Sequence, residues 1–167
     1  MGANPYFYFT PYQADLRQAL QALREQEFRA GRYDPAMRMA DPPSYMFEFS
    51  FPPDSTEPGP GAQHASIEEA MDAGQESGTG SILDLVNISD QPDFSAASPL
   101  PSEDLIRIFG TTHPTRDLLQ SILGGQNFRD PGLRFFWEQI DRGQGRYVVL
   151  YANSEPSEIF FAGMSWD

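Results

Sequence analysis

The C-terminal end of the chain limits the fold more than any other stretch. Residues 146–151 and 158–162 carry apolar side chains on alternate positions and nearly so on the positions between, and Asn153-Ser154-Glu155-Pro156 joins them as a turn. Two such runs predict a β-hairpin. Strands that are apolar on both faces must lie in a sheet that something else covers.

The covering elements are helices. Thr10-Pro11-Tyr12-Gln13 reads as a capping box with a first-turn proline. From there Tyr12, Leu16, Ala19, Leu20 and Leu23 fall within one helical arc of about 100°, the pattern of a helix packed on a core. Gly31 is its expected C-terminal cap. Glu27 falls inside that apolar stripe, which leaves two readings: a last-turn side chain reaching water, or a carboxylate held in a cleft or in the interior with a raised pKa.

Tyr6-Phe7-Tyr8-Phe9 predicts a strand, as does the alternation from Tyr45 to Phe51. A Pro/Gly-rich mobile loop is expected at about 52–65. Ser66-Ile67-Glu68-Glu69 opens a short acidic helix that Gly74 ends. Residues 81–88 read as a strand with Ile82, Leu85 and Val86 inside, and residues 90–101 as a loop. Three helices follow, capped at Ser102, near Pro114 and at Asp130-Pro131, with stops at Gly110, Gly124 and Gly143. The order β-α-β-(α)-β-α-α-α-β-β lacks regular βαβ alternation. It predicts an α+β fold in a single domain, 1–167, with an antiparallel or mixed sheet, helices on one face and the C-terminal hairpin.

Composition fits such a domain and removes several chemistries. The chain has 167 residues, 40% of them hydrophobic and 13% aromatic, too many for a disordered chain. A chain of this length buries roughly 70% of its unfolded surface and needs no covalent staple. It has no cysteine, which excludes disulfides, thiolate metal sites and thiol nucleophiles. All 11 basic side chains are arginines, which reads as the codon bias of a GC-rich genome; whatever its origin, the lack of lysine excludes Schiff-base chemistry and a phosphate-loop lysine as well. The formal net charge of −13 disfavours nucleic acid and favours fast encounter with a basic protein. Such acidity is also common in ordinary bacterial proteins. No run is long enough to span a membrane and the N-terminus is not a signal peptide, so a soluble cytoplasmic protein is expected.

Only two histidines exist, His64 and His113. A metal site could use His64 with Glu68 and Glu69, completed by Asp84 or His113, but no diagnostic ligand spacing is present, and no metal or cofactor is expected. No nucleophile-elbow motif occurs. The Gly-rich run 74–81 lies between a helix and a strand, the reverse of a phosphate cradle, and reads as a plain loop. Glu68, Asp72 and Glu76, spaced four apart, would share a helical face, as a solvated surface or as a docking stripe for a basic partner. The leading functional expectation is a non-catalytic protein-binding domain of inhibitor or immunity type, contacting its partner through Glu68, Asp72 and Glu76. The alternative is a small hydrolase-type enzyme using His64 or His113 with nearby carboxylates, Glu27 and Asp84 among them.

Overall fold

The hairpin forms where the apolar runs put it, and the turn is tighter than expected. In this computed structural model, which describes residues 3, 5–34, 61–124 and 130–166, β4 (Gly145–Ala152) and β5 (Glu155–Met164) pair antiparallel. Asn153 and Ser154 alone make the turn, with φ of 50° and 66°. Two positive φ values in a two-residue loop match the right-handed twist of the flanking strands. Glu155 and Pro156 therefore belong to β5.

β5 also pairs antiparallel with β1 (Pro5–Pro11), which sets Tyr6 opposite Gly163 and Phe9 opposite Phe160. Beyond β4 the sheet turns parallel, adding β3 (Ala96–Pro99) and then the two-residue β2 (Asn87–Ile88). The result is one mixed sheet in the order β1-β5-β4-β3-β2. The fold is α+β, with its last two strands forming the C-terminal hairpin.

Two stretches depart from expectation here. Residues 96–99, expected as loop, form β3; alanine and serine let its backbone sit fully enclosed beside β4, where Arg146 donates to the Ser98 hydroxyl at 2.9 Å. Residues 81–88 are mostly not strand. Ser81 Oγ accepts from the Leu83 amide and opens a 3₁₀ turn, Ile82–Asp84, because short polar side chains compete with the ladder for backbone groups. Ile82 and Leu85 are buried as expected, but Val86 is 42% exposed.

Strand alternation sends Tyr6, Tyr8, Ile159 and Phe161 to one face and Phe7, Phe9, Phe160 and Leu150 to the other. Helices α1 (Leu16–Ala30) and α2 (Ile67–Ala73) and the 3₁₀ turn pack on the first face; α3 (Ser102–Phe109), α4 (Arg116–Leu123) and α5 (Pro131–Trp137) pack on the second. Helices thus stand on both faces where one was expected. The doubly apolar strands require it.

α1 does not begin at Thr10. The sheet holds Thr10 and Pro11 against Ile159 and Glu158, and the Tyr12 amide still donates to Ser157. Asp15 caps the helix instead, accepting from the Arg17 and Gln18 amides, and Tyr12 is 38% exposed rather than part of the stripe. Ala19, Leu20 and Leu23 are buried as the periodicity predicts. Gly31 ends α1 at φ 70°, and Gly61 lies so close that a Cβ on Gly31 would come within 2.3 Å of its carbonyl oxygen. Gly61 and Ala62 donate to the last carbonyls of α1. Of the loop expected at about 52–65, Gly61 and Ala62 thus dock on the end of α1, while Gln63 and His64 meet Tyr33 and Ala65 donates to Glu69. The rest of that loop and the strand expected at 45–51 lie outside the described residues.

α3 starts after Pro101 without a side-chain cap, so Ser102 is its first residue, and α4 starts at Thr115, whose hydroxyl accepts from Leu118. Asp130 caps α5 as expected, though the helix ends at Trp137, well before Gly143. Among the described residues no helix is long and apolar enough to cross a membrane.

Candidate functional site

The chemically capable side chains are dispersed, each engaged by its own neighbourhood. His64 follows the segment docked on α1, and its Nδ1 lies 2.8 Å from the Tyr33 hydroxyl. Tyr33 is 1% exposed and stacks on Phe28 at 5.7 Å, so His64 closes over an aromatic wall of the core. His113 sits exposed in the connection from α3 to α4. Its Nδ1 is 2.9 Å from Thr112 Oγ1, and its ring meets Tyr151 edge-on at 4.3 Å. The two imidazoles belong to different neighbourhoods, and neither contacts Glu27 or Asp84. Among the described residues no group of three or more His, Asp or Glu side chains could hold a metal ion.

Glu27 is buried at 1% exposure, so its side chain lies in the interior and does not reach water. Gly31 turns the chain back on itself, which carries Arg32 over the last turn of α1. Arg32 Nε and a terminal nitrogen donate to the two carboxylate oxygens at 2.8 and 2.7 Å. Both carboxylate oxygens of Glu27 are engaged by a fork-on-fork pair, the geometry of a structural clamp. Arg32 carried no signal in the helical pattern, because it lies past the cap.

Asp84 closes the 3₁₀ turn and is fully enclosed. Its Oδ1 accepts from the Thr79 amide at 2.7 Å and the Thr79 hydroxyl at 2.8 Å, while Thr79 Oγ1 and Ser81 Oγ lie 2.8 Å apart. The Gly-rich run is therefore a loop wound around a carboxylate, with Gly78 and Gly80 at positive φ. A Cβ on Gly78 would meet Asp84 Oδ2 at 2.9 Å and Trp166 Cγ at 3.2 Å. Burial pushes the Asp84 carboxyl up from the usual aspartate range, against the downward pull of the Thr79, Gly80 and Ser81 hydrogen bonds. Burial also raises the Tyr6 phenol, with the Asp84 charge adding to it.

Among the described residues four buried polar side-chain atoms have no hydrogen-bond partner: Asp84 Oδ2, Tyr6 Oη, Trp166 Nε1 and Arg24 Nε. Arg24 still spans three elements, donating to the Leu83 carbonyl at 3.2 Å, to Met71 Sδ at 3.3 Å and to Gln21 Oε1 at 3.1 Å. Burial lowers its pKa, while the charges of Glu68 and Asp84 oppose that shift. Asp84 is fully enclosed and presents no surface to a substrate.

The acidic residues of α2 and of the turn beyond it are accessible. Ser66 caps α2 as expected, accepting from the Glu69 amide, and Glu69 Oε2 reaches back to the Ala65 amide. Glu68 and Asp72 are exposed on α2. Its own backbone, then the Ser66 hydroxyl, then the charge of Arg24 hold the Glu68 carboxyl below the usual range. Glu76 is exposed too, but Gly74 caps the helix before it. Two of the three acids share a helical face; the third lies in the turn beyond.

Sequence reasoning missed an aromatic pair at the end of the sheet. Phe94, in a stretch expected as loop, is 57% exposed and packs against Trp166 at 5.2 Å between ring centroids. Nothing in a Pro-Asp-Phe-Ser loop distinguishes a fixed aromatic from a mobile one. No family model, curated protein or solved structure matches this chain.

Proposed function

We propose that this chain is a non-catalytic cytoplasmic domain that binds a basic protein, in the manner of an inhibitor or immunity-type protein. One observation carries the reading. Among the described residues, His64, His113, Glu27 and Asp84 are each engaged away from the others, while Glu68, Asp72 and Glu76 face water. Catalysis by general acid and base requires convergence within hydrogen-bond reach of one reacting atom. His64 is bonded to Tyr33, His113 stands on an exposed loop, Glu27 is clamped by Arg32, and Asp84 is enclosed by its own loop. The hydrolase alternative draws no support from that arrangement. A net charge of −13 speeds encounter with a positively charged partner and penalises acidic ones.

Capture from source lysate at low and high salt, with the wild-type chain beside Glu68→Gln/Asp72→Asn/Glu76→Gln, tests the reading. The expected result is an Arg- or Lys-rich partner whose recovery falls with salt and falls further with the triple variant. Equal recovery by both chains, or an acidic partner, overturns it.

A further inference from the structure

We propose that the Gly-rich loop and Trp166 form a latch, closed while Asp84 holds a proton and opened when Asp84 gives it up. The device does not depend on the basic-partner reading. Asp84 is 0% exposed, and its two oxygens have unlike surroundings. Oδ1 accepts from the Thr79 amide at 2.7 Å and the Thr79 hydroxyl at 2.8 Å. Oδ2 has no hydrogen-bond partner among the described residues, and it lies where Gly78 meets Trp166. A Cβ on Gly78 would come within 2.9 Å of Oδ2 and 3.2 Å of both Cγ and the backbone nitrogen of Trp166. The buried Trp166 Nε1 likewise has no partner among the described residues. A carboxyl oxygen and an indole N–H are thus shut away from water by contact between the same two segments.

Proton loss changes which state costs less. A protonated carboxyl is neutral and tolerates enclosure, whereas a carboxylate there is a buried charge with one oxygen cut off from water. Parting Gly78 from Trp166 hydrates that oxygen. Gly78 and Gly80, at φ of 78° and 60°, flank Thr79 and supply the freedom for it. β5 ends at Met164, so the movement leaves the sheet intact. The groups that act on Asp84 come from several elements. Arg24 of α1 favours the carboxylate, but Glu68 of α2 shares its charge. Tyr6 of β1 is held neutral by burial and by the Asp84 charge. Asp34, whose amide donates to the Thr79 carbonyl at 2.9 Å, and Glu76 of the loop are exposed acids, and Trp166 brings no charge. Burial outweighs the hydrogen bonds from Thr79, Gly80 and Ser81 and keeps the Asp84 proton above the usual aspartate range. The latch is therefore closed in acid and opens as pH climbs toward neutrality.

Acrylamide quenching of Trp166, followed from the acid side to neutrality in a Trp137→Phe background, tests the latch. The quenching constant should rise roughly threefold while the far-ultraviolet circular dichroism stays constant, the mark of a local opening. In Asp84→Asn it should keep the low value at every pH. Exchange of the Thr79 amide in the otherwise unaltered chain gives a second readout, which stands even if Asp84→Asn fails to fold. Its protection should fall roughly fivefold over the same range, beyond the intrinsic change in exchange rate. A flat quenching profile, an equal rise in Asp84→Asn, or constant Thr79 protection overturns the latch. A rise that comes only with loss of the circular dichroism signal is global unfolding and overturns it as well.

Discussion

Glu27 and Arg32 face each other through two hydrogen bonds, of 2.8 and 2.7 Å, across the glycine that ends α1. Glu27 is 1% exposed, and the Arg32 side chain is 14% exposed. Removing one partner of such a pair leaves a charge with neither water nor counter-ion. Arg32→Ala is expected to destabilise the fold by about 3 kcal/mol, read as a fall in urea midpoint at unchanged slope. Replacing both residues by leucine should recover more than half of that loss. A double variant as unstable as the single one would mean that the clamp does not act as a pair.

Asp84 gives stability a dependence on pH opposite to that of most carboxylates. Its folded-state pKa is raised by burial, so between the ordinary value near 3.9 and the raised one the folded chain holds a proton that the unfolded chain has released. Its contribution is then full below the unfolded value and falls as pH climbs through the folded one. Asp84→Asn keeps an oxygen for the Thr79 amide and hydroxyl and removes the titration. Its urea midpoint should vary less than that of the wild type as pH rises from the acid side toward neutrality. Asp84→Ala strands the two Thr79 donors and should cost about 2–4 kcal/mol at any pH. Equal pH profiles for wild type and Asp84→Asn would refute the assignment.

What the sequence disclosed was whatever a local pattern could encode. The hairpin, the buried stripe of Ala19, Leu20 and Leu23, and the caps at Ser66 and Asp130 each depend on neighbours a few residues away. Strand β3 did not show, because Ala96-Ala97-Ser98-Pro99 has no branched or aromatic side chain and owes its place to β4. The start of α1 was misread because Thr10 and Asp15 both make good caps, and pairing of Thr10 with Ile159 decides between them. At the candidate site, Glu27 stood out as an acid on an apolar stripe. Its partner, like Tyr33 beside His64, comes from a turn of chain that no periodicity records.

The two histidines should separate cleanly in their effects. Tyr33→Phe removes the hydroxyl that lies against His64 Nδ1 and accepts from Gln63, at an expected cost of about 1 kcal/mol. His113→Ala removes an exposed ring lying edge-on to Tyr151 and should cost no more than about 1 kcal/mol. Neither change should alter partner capture. A loss of capture with His113→Ala and no loss of stability would assign that imidazole to the interface.

Gly163 is required by Tyr6. The two are cross-strand partners of β5 and β1, and the phenol ring lies flat over the glycine, so that a Cβ there would fall 2.5 Å from both Cζ and Oη. The ring cannot retreat, because Tyr6 is 6% exposed beneath α1 and the 3₁₀ turn. Gly163→Ala is expected to cost about 1–3 kcal/mol by overpacking. The Tyr6 hydroxyl itself has no protein partner, so Tyr6→Phe should stay within about 1 kcal/mol of wild type or exceed it in stability. Combining the two should not rescue Gly163→Ala, since the ring carbons collide as well as the oxygen. Thermal unfolding of the three variants decides the matter. A Tyr6→Phe variant far less stable than wild type would show that the buried hydroxyl is bonded, and full rescue in the double variant would show that the oxygen alone fills the space over Gly163.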